Sequence, residues 1–402
     1  MRISFLHYSY PGIGGTETVT NLLARSFTEC GHHILILAWR RPENAMYGSD
    51  YETTYLPDQS NLNSAKNAAF IYDFLISNHI DCLINQGPFW IPTQKVKQSK
   101  TVILSVLHYA PDYKIVNQQN AIVEKFREKS PSFAHFIKST VRYCFKKHYA
   151  IRDFDRIFKS DLHNTIVNSD RFVLLCNGYI NQMEQLMRRS YDNLIAIGNG
   201  LKMCNEIFGK SKTIVCIGRL TKWDKRVDRL LKIWQRIENC PPHADWNLQI
   251  LGDGPERKSL EELSRKLGLK RCEFLGFVDV KPYLSSASIL AMTSSSEGFP
   301  MVILEAGTYG VVPIAFDVSE GIRSLIDNGV SGVLIQSFDS NEYAIRLAEL
   351  MTDNEKRQTM ANHARERTKA FDVSLIANKW IELINKIKHE KTQSLNNYSS
   401  IQ

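Results

Sequence analysis

The residues best suited to chemistry gather in two stretches of the second half of the chain. The first, Gly218-Arg219-Leu220-Thr221-Lys222-Trp223-Asp224-Lys225-Arg226, follows the apolar run Thr213–Ile217. A glycine and then an arginine at the end of such a run put a guanidinium at the mouth of a strand. Lys225, six residues on, opens the next expected helix and can return to the same place. An arginine fork with a lysine point charge suits a diphosphate, whose negative charges need neutralising as it leaves. Taken alone, the two side chains read first as solvated cations on a loop.

The second stretch is Ser294-Ser295-Ser296-Glu297-Gly298-Phe299-Pro300-Met301-Val302-Ile303-Leu304-Glu305-Ala306. A strand ends in hydroxyl residues, and Pro300 takes the first turn of a helix, where proline is best tolerated. The N–H groups at that start, around Met301 and Val302, form an anion site. Glu297 precedes the helix and Glu305 lies one turn inside it. Two carboxylates repel a diphosphate unless they address something else, and sugar hydroxyls are natural partners. The plainer reading has Glu297 complement the helix dipole and Glu305 lie on the surface.

The first half carries fewer such groups. Strand Arg2–His7 leads into Pro11-Gly12-Ile13-Gly14-Gly15-Thr16-Glu17, where glycines permit close backbone approach and Thr16 can cap a helix. The spacing is not the dinucleotide fingerprint, and Trp39-Arg40-Arg41 stands where an acidic residue would end the next strand. His108 closes the apolar run Thr101–Leu107. Residues 131–149 carry an apolar stripe (Phe133, Phe136, Ile137, Val141, Cys144, Phe145, Tyr149) with Lys138, Arg142, Lys146 and Lys147 elsewhere. That stretch reads equally as a helix lying on anionic lipid or as one packed on its own domain. Asp153-Phe154-Asp155 sits away from any strand end and is read as chance, and no His/Cys spacing supports zinc.

These groups must be positioned by βαβ units, because short β-branched runs alternate with segments of helical period. Expected strands are Arg2–His7, His33–Ala38, Asp81–Asn85, Thr101–Leu107, Thr165–Asn168, Phe172–Cys176 and Asn193–Ile197. After the turn-rich Gly198-Asn199-Gly200 the alternation restarts with Thr213–Ile217, Trp246–Leu251, Cys272–Leu275, Ile289–Met292 and Val311–Ala315. Helices are expected at Thr16–Cys30, Ser64–Asn78, Lys225–Asn239, Pro255–Leu267, Pro300–Tyr309 and from about Asn341 onward. The fold class is therefore α/β, with two Rossmann-like doubly wound domains facing across a cleft. The expected boundaries are 1–198, 199–375 and a C-terminal helix with a polar tail at 376–402.

Bulk properties narrow the function classes. At 402 residues, two domains are the default, and 43% hydrophobic with 23% charged is an ordinary globular balance. The net charge is +8, yet residues 95–159 hold fourteen Lys/Arg against five Asp/Glu, so the remainder is near neutral. That distribution argues against a protein that coats nucleic acid. No apolar run spans a bilayer, and the N-terminus reads as a strand rather than a secretory signal. The eight cysteines are scattered with no Cys-x-x-Cys pair, which fits a reducing, cytoplasmic compartment.

In combination, Gly218-Arg219…Lys225, Gly252-Asp253-Gly254-Pro255-Glu256, Phe274-Leu275-Gly276-Phe277 and Glu297–Glu305 resemble the ordered motif set of retaining glycosyltransferases of family 4, the GT-B fold, of the bacterial surface-polysaccharide type. The resemblance implies that Arg219 and Lys225 hold the donor's distal phosphate, Glu297 touches the transferred sugar and Glu305 holds the ribose. The loop with Gly276 and Phe277 would meet the base, and Gly218, Gly298, Phe299, Met301 and Val302 complete the donor set. Gly14-Gly15-Thr16-Glu17 is similar to the family's Gly-Gly-x-Glu loop, and His108 holds the place of the active-site histidine near the reacting carbon. The expected reaction moves a hexose or N-acetylhexosamine from a nucleoside diphosphate, UDP foremost, to a glycan or lipid-linked acceptor. No metal or other cofactor is implied. Peripheral contact with the inner face of the cytoplasmic membrane would run through residues 131–149. The alternatives are a non-hydrolysing sugar-nucleotide epimerase and a non-catalytic sugar-nucleotide-binding protein.

Overall fold

The computed structural model describes residues 1–12, 14–42, 50–87, 89–115, 154–204, 206, 209–336 and 338–399, with residues 394–399 described by backbone alone. The basic stretch 131–149 and Asp153 lie outside these residues. The chain divides into two compact units, Met1–Gly198 with Ile376–Gln402, and Asn199–Leu375.

The first unit holds a seven-stranded sheet in the order β3-β2-β1-β4-β5-β6-β7. Its strands are β1 (Arg2–Ser9), β2 (His33–Arg40), β3 (Thr53–Tyr55), β4 (Cys82–Asn85), β5 (Val102–Val106), β6 (Arg171–Leu174) and β7 (Leu194–Ala196). Every pairing is parallel. A sheet covered by helices on both faces requires apolar residues at successive positions, and Ile34–Trp39 are accordingly all buried. The strand expected at Thr165–Asn168 is instead the end of a helix over 154–167. Its β-branched residues mislead locally, but Phe158, Leu162 and Ile166 recur every four residues and are all buried, so the helical period prevails. Asp155 is paired with Lys159 on this helix at 3.0 Å.

The second unit repeats the plan with six strands in the order β10-β9-β8-β11-β12-β13. These are β8 (Thr213–Ile217), β9 (Asn247–Leu251), β10 (Cys272–Gly276), β11 (Ile289–Met292), β12 (Val312–Phe316) and β13 (Val333–Ile335). Helix Val227–Glu238 places Val227, Leu230, Leu231, Trp234 and Ile237 on one stripe, and all five are buried. They pack with Trp246, Ile250, Phe316 and Tyr343 into one core. The carboxyl ends of β8 and β9 touch backbone to backbone. Gly252 has φ 138°, and a Cβ there would stand 2.0 Å from the Gly218 carbonyl oxygen.

The last helix, Val373–Ser399, sends Trp380, Ile384 and Ile387 into the core. From Ile376 onward it belongs to the first unit. Lys391 Nζ donates to the carbonyls of Lys97, Ser99 and Thr101 at 3.1, 3.2 and 2.7 Å, and pairs with Asp170 at 2.8 Å. Lys388 pairs with Asp81. No helix among the described residues is long and apolar enough to cross a membrane.

A titratable residue on β1 is buried among apolar ones. His7 is 3% exposed, and among the described residues its Nε2 has no hydrogen-bond partner. Burial, and then the neighbouring His108, push its pKa down to about 3. The unfolded chain takes a proton near pH 6.5 and the folded one does not, so this contribution is intact above that pH and lost as pH falls. Between pH 7 and pH 5 the loss is on the order of 2 kcal/mol. His7→Gln is expected to flatten the pH dependence of the urea midpoint by that amount, and parallel profiles would refute the assignment. Gly252→Ala is expected to cost about 3 kcal/mol or more in the same assay, combining a forbidden φ with a backbone clash. A wild-type midpoint for that variant would show that the strand ends can separate without cost.

Candidate functional site

In an open parallel sheet, loops that leave the carboxyl ends of strands on either side of an order reversal diverge and open a crevice. In the second unit the reversal falls between β8 and β11, which are neighbours. The loop after β8 carries Gly218, Arg219 and Lys225, and the loop after β11 carries Glu297 and Gly298. Ser295 N–H donates to the Asp224 carbonyl at 2.7 Å, and Thr293 Oγ1 donates to the Arg226 carbonyl at 3.0 Å, so the second loop clamps the first.

Lys225 does not open the following helix. Arg226 takes a left-handed conformation (φ 49°) and grips Asp228 with two hydrogen bonds of 2.8 and 3.0 Å, which delays the helix to Val227. Lys225 is thereby left in the turn, lying over Gly218, with its Nζ donating to Glu297 Oε1 at 2.6 Å. Burial disfavours the ammonium, but the Glu297 carboxylate more than offsets this and holds its pKa above the usual lysine value. Glu297 itself is only 9% exposed. Burial, followed by the Glu297 charge, pushes the carboxyl of Asp224 up. Arg219 is exposed, and among the described residues its guanidinium makes no hydrogen bond or ion pair.

Helix Met301–Thr308 begins at Pro300, whose side chain makes no cap hydrogen bond, and carries no acid in its first turn. Glu305 is half-buried on the same helix, and burial raises its pKa. Phe299, expected in the donor set, stands just before this helix. Its ring is 6% exposed and packs edge-on to Phe371 at 5.8 Å, leaving only its backbone to address a ligand. Two strands along the same edge, Gly276 ends β10 and the next residue, Phe277, is 76% exposed.

Gly14, Gly15, Glu17 and His108 fall in the first unit. Gly14 precedes helix Gly15–Glu29, and Glu17 folds back so closely that any side chain on Gly14 would strike its carboxylate. Its negative charge then lies at the helix start, where it complements the dipole. His108 follows β5, and its Nε2 shares a hydrogen bond with Gln86 Oε1. Burial pushes its pKa down to about 4, so the imidazole is neutral at pH 7. His7 lies near the carboxyl end of β1, and Gln86 and His108 follow β4 and β5, so the three sit on adjacent strands. Sequence reasoning named His108 alone. The signal for the other two was the same, a polar residue ending an apolar strand.

Residues 203–367 match the protein family described as Glycosyl transferases group 1. Over 192 residues the chain is 32% identical to the amylovoran biosynthesis glycosyltransferase AmsD of Erwinia amylovora, covering 46% of this chain and 52% of AmsD. The chain thus spans about half the length of the curated relatives it matches. Among solved structures it resembles the lipopolysaccharide outer core galactosyltransferase WaaB in apo form, with TM-score 0.71 and 18% identity over 96% of this chain and 99% of that one. It also resembles Alr3699/HepE of Anabaena in complex with UDP, with TM-score 0.70 and 18% identity over 96% of this chain and all of that one. At such identities the structures establish a shared fold, two parallel-sheet Rossmann-like domains of the GT-B kind, and the family match is confined to a span of the second unit.

Proposed function

We propose that the chain is a glycosyltransferase that moves a hexose or N-acetylhexosamine from a UDP-linked donor, with retention at the anomeric carbon, to a glycan or lipid-linked acceptor of a surface polysaccharide or lipopolysaccharide. The observation that carries this reading is the Lys225–Glu297 pair at the strand-order reversal, with the Arg219 guanidinium, unpaired among the described residues, on the same loop. Lys225 gives one of its three donors to Glu297 and keeps the others for a phosphate. Support comes from the family match over 203–367, from the UDP bound to a protein of like fold, and from the polysaccharide and lipopolysaccharide roles in the relatives' names.

In this reading the bond between the anomeric carbon and the distal phosphate oxygen breaks as the acceptor hydroxyl attacks from the same face. The hydroxyl proton passes to the departing phosphate oxygen. Charge building on that phosphate is stabilised by Arg219, Lys225 and the N–H groups of Met301 and Val302, which do the work a divalent cation does elsewhere. Glu297 addresses the sugar hydroxyls and Glu305 the ribose. Phe277 lies two strand spacings from Gly218, roughly 10 Å along the edge, a span suited to a base with its diphosphate. Gly14, Gly15, Glu17 and His108 take the acceptor-side and sugar-side roles. The basic stretch 131–149 is the segment proposed to meet the cytoplasmic membrane.

Calorimetric titration with UDP tests the phosphate assignment. Arg219→Ala is expected to weaken binding by roughly ten- to a hundredfold, the value of a charge-assisted contact, without changing the thermal midpoint. Unchanged UDP affinity and turnover would remove Arg219 from the site. Glu297→Gln is expected to keep UDP affinity within about threefold, because Lys225 is released rather than lost, while transfer falls by at least about a hundredfold. If UDP-N-acetylglucosamine alone yielded an epimerised sugar nucleotide, the epimerase would replace this reading.

A further inference from the structure

The Trp39-Arg40-Arg41 string has no part in the chemistry above, yet it closes β2 at the carboxyl edge of the first unit. There the order β2-β1-β4 sets Trp39, Tyr8 and Phe89 side by side. Tyr8 meets Trp39 edge-on at 4.9 Å and Phe89 at 5.5 Å. Trp39 is buried, but Tyr8 is 44% and Phe89 39% exposed. Isolated exposed apolar side chains are ordinary; two contiguous rings open at a strand-order reversal are not.

Cations flank the rings on both sides. The Arg40 guanidinium stands over Trp39 at 4.3 Å and reaches Tyr8 at 5.7 Å. Lys114 Nζ lies 4.3 Å from the centre of Phe89 and 5.5 Å from those of Tyr109 and Phe158. Among the described residues neither cation has a carboxylate partner in an ion pair. Burial lowers the lysine's pKa, and Asp161 acts on it only at a distance. Ring faces hold a cation through their quadrupole but accept none of its N–H bonds in the plane of an anion, so both groups keep their capacity for a charged oxygen.

We infer that this edge is a saccharide platform on which a sugar ring of the acceptor stacks on Tyr8 and Phe89, while its carboxylate or phosphate is taken by Arg40 and Lys114. The inference rests on the glycosyltransferase reading and names the chemical class of its acceptor, an acidic glycan. A hydrophobic stacking surface supplies contact area, and the two cations discriminate against a neutral sugar of the same shape.

The full chain titrated by ligand-observed NMR with methyl glucuronide, glucose 6-phosphate and methyl glucoside tests this. One or both acidic probes are expected to bind about tenfold tighter than the glucoside, the value of one charge-assisted contact. The favoured probe identifies the acid as carboxylate or phosphate. Arg40→Gln and Lys114→Gln should each remove most of that preference, whereas Tyr8→Ala should weaken all three probes. UDP titrated into the same samples should bind every variant as it binds the wild type. Equal affinity for the three probes, no binding of any, or a preference untouched in both charge variants overturns the platform. Failure of the wild type to bind UDP would instead strike the transferase reading beneath it.

Discussion

A parallel sheet delivers the carboxyl end of every strand to one edge, and the reversal of strand order decides where that edge opens. In the second unit the opening falls between β8 and β11, and one ion pair spans it. The pair links residues 72 positions apart and is largely out of water. Removing either partner leaves an uncompensated charge, so the two loops depend on each other more than their sequence separation suggests. The left-handed Arg226 and the clamp from Thr293 and Ser295 serve the same geometry. They hold the lysine ahead of its helix, where its head can turn toward the crevice.

Both units share the plan but present different chemistry at the edge. The second offers cations, a buried carboxylate and an uncapped helix start. The first offers neutral imidazoles and aromatic rings: His7 and His108 are both driven below their ordinary pKa by burial, and Tyr8 and Phe89 face outward.

Much of the scaffold was legible in the sequence because fully covered strands leave a strong local mark. Thr213–Ile217 and Ile289–Met292 fall at the expected residues, since each is a continuous apolar run closed by a polar or glycine residue. The short strands Thr53–Tyr55 and Val333–Ile335 left no such mark, being three-residue edge strands. Residues 165–168 were misread because β-branched side chains at a helix end resemble a strand when the preceding turns are ignored. Of the candidate site, residue types and spacing gave Arg219, Lys225 and Glu297. They could not give the contact between Lys225 and Glu297, which depends on which strands become neighbours. The burial of the Phe299 ring was hidden for a similar reason: its partner Phe371 lies 72 residues away, beyond four helices in sequence.

The helix that begins at Val373 imposes an order on biosynthesis. Trp380, Ile384 and Ile387 complete the interior of a unit whose other residues end at Gly198, and Lys391 satisfies carbonyls left open beyond the short helix Gln94–Lys97. A ribosome therefore releases nearly two hundred residues of that unit, and then the whole of the next, before the missing piece emerges. Over that interval the nascent first unit carries uncovered apolar surface, the condition under which chains depend on chaperones. Maturation of the two units is staggered, and the one synthesised first is the one finished last.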